Sequence, residues 1–217
     1  MNDLRIPLAR TFDLYEVWCF IKLLSNLKDR SPYKIDPADM AQIFEKKPGG
    51  IVPKLKLNFS TPLKFGEGKY IAFQRSFTPI SKGNSDDIVS FSVTMTPDIT
   101  IEGTTSSDVK LLVILDSKYR VASSLNDALG DLHKYSHAIV SREELSVDSV
   151  HNLKKKAFIL SPYTIKPGLL DDWKDVDDMP DRLRMSSYKK NFDIGIYSFT
   201  PGISDGEVGA IIDELLN

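Results

Sequence analysis

The chain holds 217 residues, 41% hydrophobic and 27% charged, a balance that buries the core of one domain and excludes compositional disorder. No apolar run reaches the roughly 20 residues of a membrane span, the N-terminus MNDLRIPLAR lacks the apolar stretch of a secretory signal, and the single Cys19 excludes a disulfide framework or a Cys-based structural zinc site, so a soluble, cytoplasmic protein without membrane contact is expected. The net charge of −2 neither selects nucleic acid as a partner nor excludes it, because binding needs only a local basic face.

Apolar spacing predicts a helix over about 12–28 (FDLYEVWCFIKLLSNLK). A second is predicted over about 36–45 (DPADMAQIFE), with Asp36 as N-cap and Pro37 at the first helical position, where its missing N–H is harmless. From about 54 to 101, alternation in KLKLNF, KYIAFQRSF, DIVSFSV and DITIE, broken by Gly, Pro and Asn, predicts antiparallel strands. KLLVILDSKYR (110–120) has no polar face, which predicts a strand covered on both sides and central in its sheet. A helix over about 125–140 aligns Leu125, Ala128, Leu129, Leu132 and Ile139 on one stripe, with Ser124 and Asp127 as a capping box. AFILSPY (157–163) reads as a buried strand and FDIGIYSF (192–199), after a long loop, as another. SDGEVGAIIDELL (204–216) closes as a helix with a Ser204/Glu207 capping box and a stripe of Val208, Ile211, Ile212 and Leu215. With no repeat and no low-complexity linker, this order predicts a single α/β domain over 1–217. Its mixed central β-sheet is flanked by α-helices, with a helical N-terminal part at about 12–45 and a core at about 54–217.

The chemistry concentrates at Pro97-Asp98 and Asp116-Ser117-Lys118. Residues i and i+2 of a strand share a face, so Asp116 and Lys118 point the same way off the end of the apolar run LLVIL. The turn GTTSSD (103–108) lets the strand opened by Asp98 pair antiparallel with 110–116. The start of one strand then meets the end of the other, and Asp98 and Asp116 become neighbours. Two close carboxylates repel, and a hard divalent cation relieves the repulsion; Mg²⁺ accepts one or two carboxylates plus substrate phosphate and water. Such a cation acidifies a water and neutralises charge on a phosphorane-like transition state, and a neighbouring lysine orients the water or stabilises that charge. A lone D-x-K more often ends an exposed strand; here it follows an apolar run, and a PD dipeptide opens the strand before it. On a helical wheel at about 100° per residue, Glu16 falls among Phe12, Phe20, Leu23 and Leu27, opposite Lys22, Ser25, Asn26 and Asp29. A carboxylate on an apolar face is costly unless it is paired or ligates a metal.

A helix bearing Glu16, then PD, then D-x-K on a central strand, then a helix with His and Tyr resembles the PD-(D/E)xK nuclease superfamily. Within it, LYEVWCF (14–20), PDIT (97–100), LDSKYR (115–120) and DLHKYSHAI (131–139) are similar to the McrC-like and RecB-like branch, which includes the nuclease part of modification-dependent restriction systems. The resemblance spans 14–139 and implies a restriction-endonuclease-like core that hydrolyses DNA phosphodiester bonds with Mg²⁺ or Mn²⁺. It implies that Asp98 and Asp116 ligate the metal, helped by the Ser117 carbonyl, and that Lys118 is the catalytic lysine. Glu16 becomes the acid of the N-terminal helix, a ligand directly or through water, and Tyr135 stands near the scissile phosphate. Arg120, His133 and Lys134 become DNA contacts. Asp131 departs from the branch, where Gln or a basic residue is more usual. The resemblance also implies a restriction, defence or repair system with an NTPase or target-recognition partner, and it admits a homodimer. McrC-like proteins carry additional N-terminal sequence, so the chain is expected to be an excised nuclease domain or a short stand-alone form.

Other features carry less. His133 and His137 share a helix face, but Lys134 replaces the acid of an H-E-x-x-H zinc motif. Lys154–Lys156 and Lys189-Lys190 precede predicted strands and read as solvated strand entrances or as phosphate contacts. The acidic run 171–181 reads as a solvated loop that sits away from DNA or docks a partner. No P-loop motif is present, and Cys19 reads as a core residue. A catalytically silent DNA-binding or assembly module of the same fold is the alternative function.

Overall fold

The apolar run before Asp116 needs cover on two sides, because successive strand side chains point to opposite faces. The computed structural model describes residues 11–30, 33–35, 38, 44–45, 54–55, 62–83, 85–105, 107–119, 125–145, 153–162 and 185–217. In chain order come α1 (Thr11–Asp29), β1 (Phe44–Glu45), β2 (Lys54–Leu55), β3 (Leu63–Lys64), β4 (Tyr70–Phe73), β5 (Ile88–Ser90), β6 (Ile99–Thr104) and β7 (Lys110–Ser117). They are followed by α2 (Leu125–Ala138), β8 (Ile139–Ser141), β9 (Leu153–Ser161), α3 (Met185–Phe192), β10 (Ile194–Ser198) and α4 (Asp205–Leu216). Among the described residues, six strands form one mixed sheet in the order β10-β9-β7-β6-β4-β3. β7, β9 and β10 run parallel, and β6, β4 and β3 extend the sheet antiparallel. The chain passes from β7 to β9 through α2, the kind of long crossover that parallel neighbours require.

Both faces of β7 are covered. Leu111, Val113 and Leu115 join a core with Cys19, Leu23 and Leu27 of α1 and Val208, Ile212 and Leu215 of α4. Leu112 and Ile114 join a second core with Ala128 and Leu132 of α2 and with Ala157, Ile159 and Ile194. Each fully buried aliphatic side chain contributes about 1.5–3 kcal/mol, so this strand anchors both layers. α1 is oriented against α4 by Lys22 on Asp205 at 2.6 Å, by Asn26 Nδ2 donating to the Asp205 carbonyl at 2.7 Å, and by an Arg30–Asp213 ion pair. Exposed pairs of this kind are worth about 0–1 kcal/mol each, so they set orientation more than stability. α4 opens on the expected capping box: the Glu207 N–H donates to Ser204 Oγ at 3.2 Å, and the Ser204 N–H donates to the Glu207 carboxylate at 2.9 Å.

The structure corrects the sequence reading in several places. The end of the second expected helix, Phe44–Glu45, is a strand paired with Lys54–Leu55; Asp36, Pro37 and most of that segment lie outside the described residues. DIVSFSV does not join the main sheet. Its β5 pairs with β8, and the helix expected to reach residue 140 therefore stops at Ala138, whose carbonyl accepts the Phe91 N–H at 2.7 Å. Lys154–Lys156 lie inside β9, paired with Leu111–Val113, rather than before it. Lys156 is only 5% exposed and donates to the Glu214 carbonyl at 2.7 Å, at a helix C-terminus where the dipole favours a cation. Lys189 and Lys190 end the helix α3 instead of a loop, and Lys189 pairs with Glu214 at 2.7 Å. Ser124 and the acidic run 171–181 lie outside the described residues. Among the described residues no helix is long and apolar enough to cross a membrane.

Candidate active site

The β6–β7 hairpin builds the site. Ile99 pairs with Leu115, and one step further that register sets Asp98 opposite Asp116. The Ser117 N–H donates to Asp98 Oδ2 at 2.7 Å. The Lys118 N–H donates to the Leu160 carbonyl at 2.9 Å, so the D-x-K backbone is tied to β9 as well. Asp116 is 1% exposed and shares its strand face with Leu112 and Ile114, the face covered by α2. Lys118 Nζ lies 2.8 Å from Asp116 Oδ2, an ion pair that sets a cation against this buried carboxylate.

Glu16 approaches from α1. Phe20, one helical turn on, packs its ring on Phe73 at 5.1 Å between centroids, which sets Glu16 beside the end of β4. Beneath it, Tyr15 donates its hydroxyl hydrogen to the Phe199 carbonyl at 2.7 Å. Burial pushes the Cys19 thiol up to about 12, so Cys19 is the inert core residue expected.

The electrostatics record how close these groups are. Burial first, and then Asp116 and Glu16, push the Asp98 carboxyl up to about 8, against the Ser117 N–H and Lys118. Asp116 is raised by burial, with Lys118 opposing and Asp131 adding to the rise. Glu16 is raised by burial and by Asp13, with Gln74 and Lys118 opposing. For Lys118, burial favours the neutral amine, but Asp116, Asp98 and Asp131 outweigh it and hold its pKa above the usual value. Burial and then Asp116, Asp98, Asp131 and Glu16 raise the Tyr135 phenol, so this side of α2 faces the acids.

The structure therefore brings together Glu16, Asp98, Asp116, Ser117, Lys118 and Tyr135, with Asp131 one helical turn from Tyr135. It does not bring His133 to them. His133 is two residues from Tyr135, about half a turn round the helix, and its ring stacks on His137 with centroids 6.3 Å apart. Lys134 is exposed, 3.5 Å from Asp131, and Arg120 lies outside the described residues. The periodicity of α2 already separates His133 from Tyr135 in the sequence. Tyr119, next to Lys118, is 44% exposed, and its ring lies 5.7 Å from that of Tyr15.

Sequence reasoning missed Gln74. It follows β4 with φ 49°, in the left-handed region that costs a non-glycine residue about 1–2 kcal/mol. Its N–H donates to the Asp98 carbonyl at 2.7 Å, and its Nε2 donates to Glu16 Oε2 at 3.3 Å. No local pattern marks it, because both partners are distant in sequence.

A model of the PD-(D/E)XK nuclease superfamily matches residues 13–166. The chain belongs to that superfamily. The mixed sheet between helices is its α/β restriction-endonuclease-like fold, and membership places the protein among nucleases. Comparison with curated proteins and with solved structures finds no match.

Nucleases of this superfamily generally use divalent metal ions, and the donor set here can be tested for fit. Among the described residues no three His, Cys, Asp or Glu side chains form a ready ligand group. What is gathered is hard oxygen: the buried Asp116 carboxyl and its half-buried neighbour Asp98. That suits Mg²⁺ or Mn²⁺, since Mg²⁺ keeps several waters and takes only one or two protein carboxylates.

Proposed function

We propose that the protein is a Mg²⁺- or Mn²⁺-dependent DNA endonuclease that hydrolyses phosphodiester bonds, of the McrC-like kind. It would act in the cytoplasm within a restriction, defence or repair system. One observation carries this reading: the hairpin register sets the Asp98 carboxyl opposite Asp116, which is 1% exposed, with Lys118 Nζ 2.8 Å from Asp116 Oδ2. Two carboxylates beside one ammonium leave a net negative charge, which opposes folding unless protons or a further cation neutralise it.

In this reading Asp98 and Asp116, with the Ser117 carbonyl, hold the cation, and Glu16 joins them directly or through water. When held there, such a cation would acidify a water and neutralise charge on the reacting phosphate. In the metal-free protein Asp116 at 2.8 Å favours the ammonium form of Lys118. Lys118 is placed to orient the attacking water or to hold a phosphate oxygen. Tyr135 keeps its proton and can donate to the phosphate. In hydrolysis the water oxygen bonds to phosphorus, the P–O bond to the leaving oxygen breaks, and the proton lost by the water is balanced, through solvent, by the one that the leaving oxygen gains. DNA is the partner, Arg120 a phosphate contact, and an NTPase or target-recognition subunit or a second copy of the chain would supply target choice.

The test incubates the protein with supercoiled plasmid and with single-stranded DNA, in Mg²⁺, Mn²⁺ or EDTA, beside Lys118→Ala and Asp116→Ala. Cleavage that requires metal and is lost in both variants is expected. No cleavage, together with no metal binding by calorimetry, overturns the reading. DNA binding without cleavage or metal binding favours the silent module.

A further inference from the structure

Gln74 touches two elements of the site at once. Ile71 and Phe73 of β4 pack into the core that α1 covers. Alternation would send the next side chain to the opposite face of the sheet, away from α1. The left-handed backbone of Gln74, φ 49°, breaks that alternation, and its amide reaches Glu16 Oε2 at 3.3 Å. The same residue stays in the ladder, one step beyond the Phe73–Ile99 pair, through its N–H on the Asp98 carbonyl at 2.7 Å. A strained non-glycine conformation persists where the surroundings over-determine it, and such residues cluster at functional sites. The amide occupies one Glu16 oxygen, and Oε1 remains for a cation or its water.

We propose that Gln74 is a positioning residue of the metal site, which aims the Glu16 carboxylate at the Asp98–Asp116 pair. This rests on the metal-dependent reading above. Groups that orient a metal ligand typically contribute 10–100-fold to affinity, and Gln74 acts through a single hydrogen bond to a ligand that is itself peripheral, so the lower end applies.

The test is calorimetric Mn²⁺ binding to the full chain and to Gln74→Gly, Glu16→Ala and the double variant. Glycine accepts the positive φ, so Gln74→Gly removes the amide while relieving the backbone. Mn²⁺ affinity is expected to fall about tenfold in Gln74→Gly, with the metal-free Tm unchanged or raised. In the Glu16→Ala background the same change is expected to have no further effect. Wild-type affinity in Gln74→Gly, an equal loss in the Glu16→Ala background, or a lowered metal-free Tm overturns the positioning role alone. Absence of Mn²⁺ binding by the wild type overturns the metal reading and this inference with it.

Discussion

Asp98→Asn is expected to stabilise the metal-free protein at pH 8 and to leave it unchanged at pH 4. The Asp98 carboxyl rises from an ordinary 3.8 to about 8, through burial first and then through Asp116 and Glu16. The folded carboxyl thus holds its proton more tightly than the unfolded one. Its stabilising contribution is whole below about pH 4 and is lost as the pH rises through about 8. Each tenfold in proton affinity is about 1.4 kcal/mol, which sets a ceiling of roughly 6 kcal/mol. Asp98 is part-exposed and shares its repulsion with Asp116, so solvent screening reduces this to about 2 kcal/mol. Asparagine keeps an oxygen to accept the Ser117 N–H and carries no charge. For a chain of this size the gain corresponds to a rise in Tm of roughly 4–8 °C. The assay is thermal unfolding in EDTA from pH 4 to pH 8, wild type against variant. Excess Mn²⁺ should reverse the order, because only the wild type gains binding energy in the folded state. A variant no more stable than wild type at pH 8, or a gap that does not change between pH 4 and pH 8, would refute the account of the carboxyl pair.

Lys118→Ala removes the cation 2.8 Å from the buried Asp116 and is expected to lower metal-free stability at pH 8 by about 1–3 kcal/mol; a wild-type denaturation midpoint would contradict this. Tyr15→Phe deletes the buried bond to the Phe199 carbonyl and should lower stability by about 1–2 kcal/mol without changing Mn²⁺ affinity, read by urea unfolding and calorimetry. Ser204→Ala breaks the capping box of α4 and should lower stability by about 1 kcal/mol, visible as a reduced urea midpoint with an unchanged slope.

Much of the site was legible because its geometry is local. Strand periodicity alone puts Asp116 and Lys118 on one face, and one tight turn between two apolar runs makes Asp98 and Asp116 opposite each other, as the Ile99–Leu115 register bears out. The wheel that singled out Glu16 needs nothing beyond the helix itself, and the α4 cap lies within four residues. The same helical period, applied to α2, would have put His133 away from Tyr135.

What depends on partners distant in sequence was not legible. Lys156 reads as solvated until the end of α4 arrives to accept its hydrogen bond. β5 reads like any sheet strand until β8 claims it. Gln74 reads as the sixth letter of a strand until α1 and the Asp98 carbonyl hold it in a left-handed turn. The amino-acid sequence by itself determines alternation, helical faces, caps and hairpin register, because these act over a few residues of backbone. Only the tertiary structure decides strand order, which charges are buried, and which side chain completes an acid cluster. Those outcomes balance burial against polar satisfaction across the sheet, and no short window of sequence contains both sides of that balance.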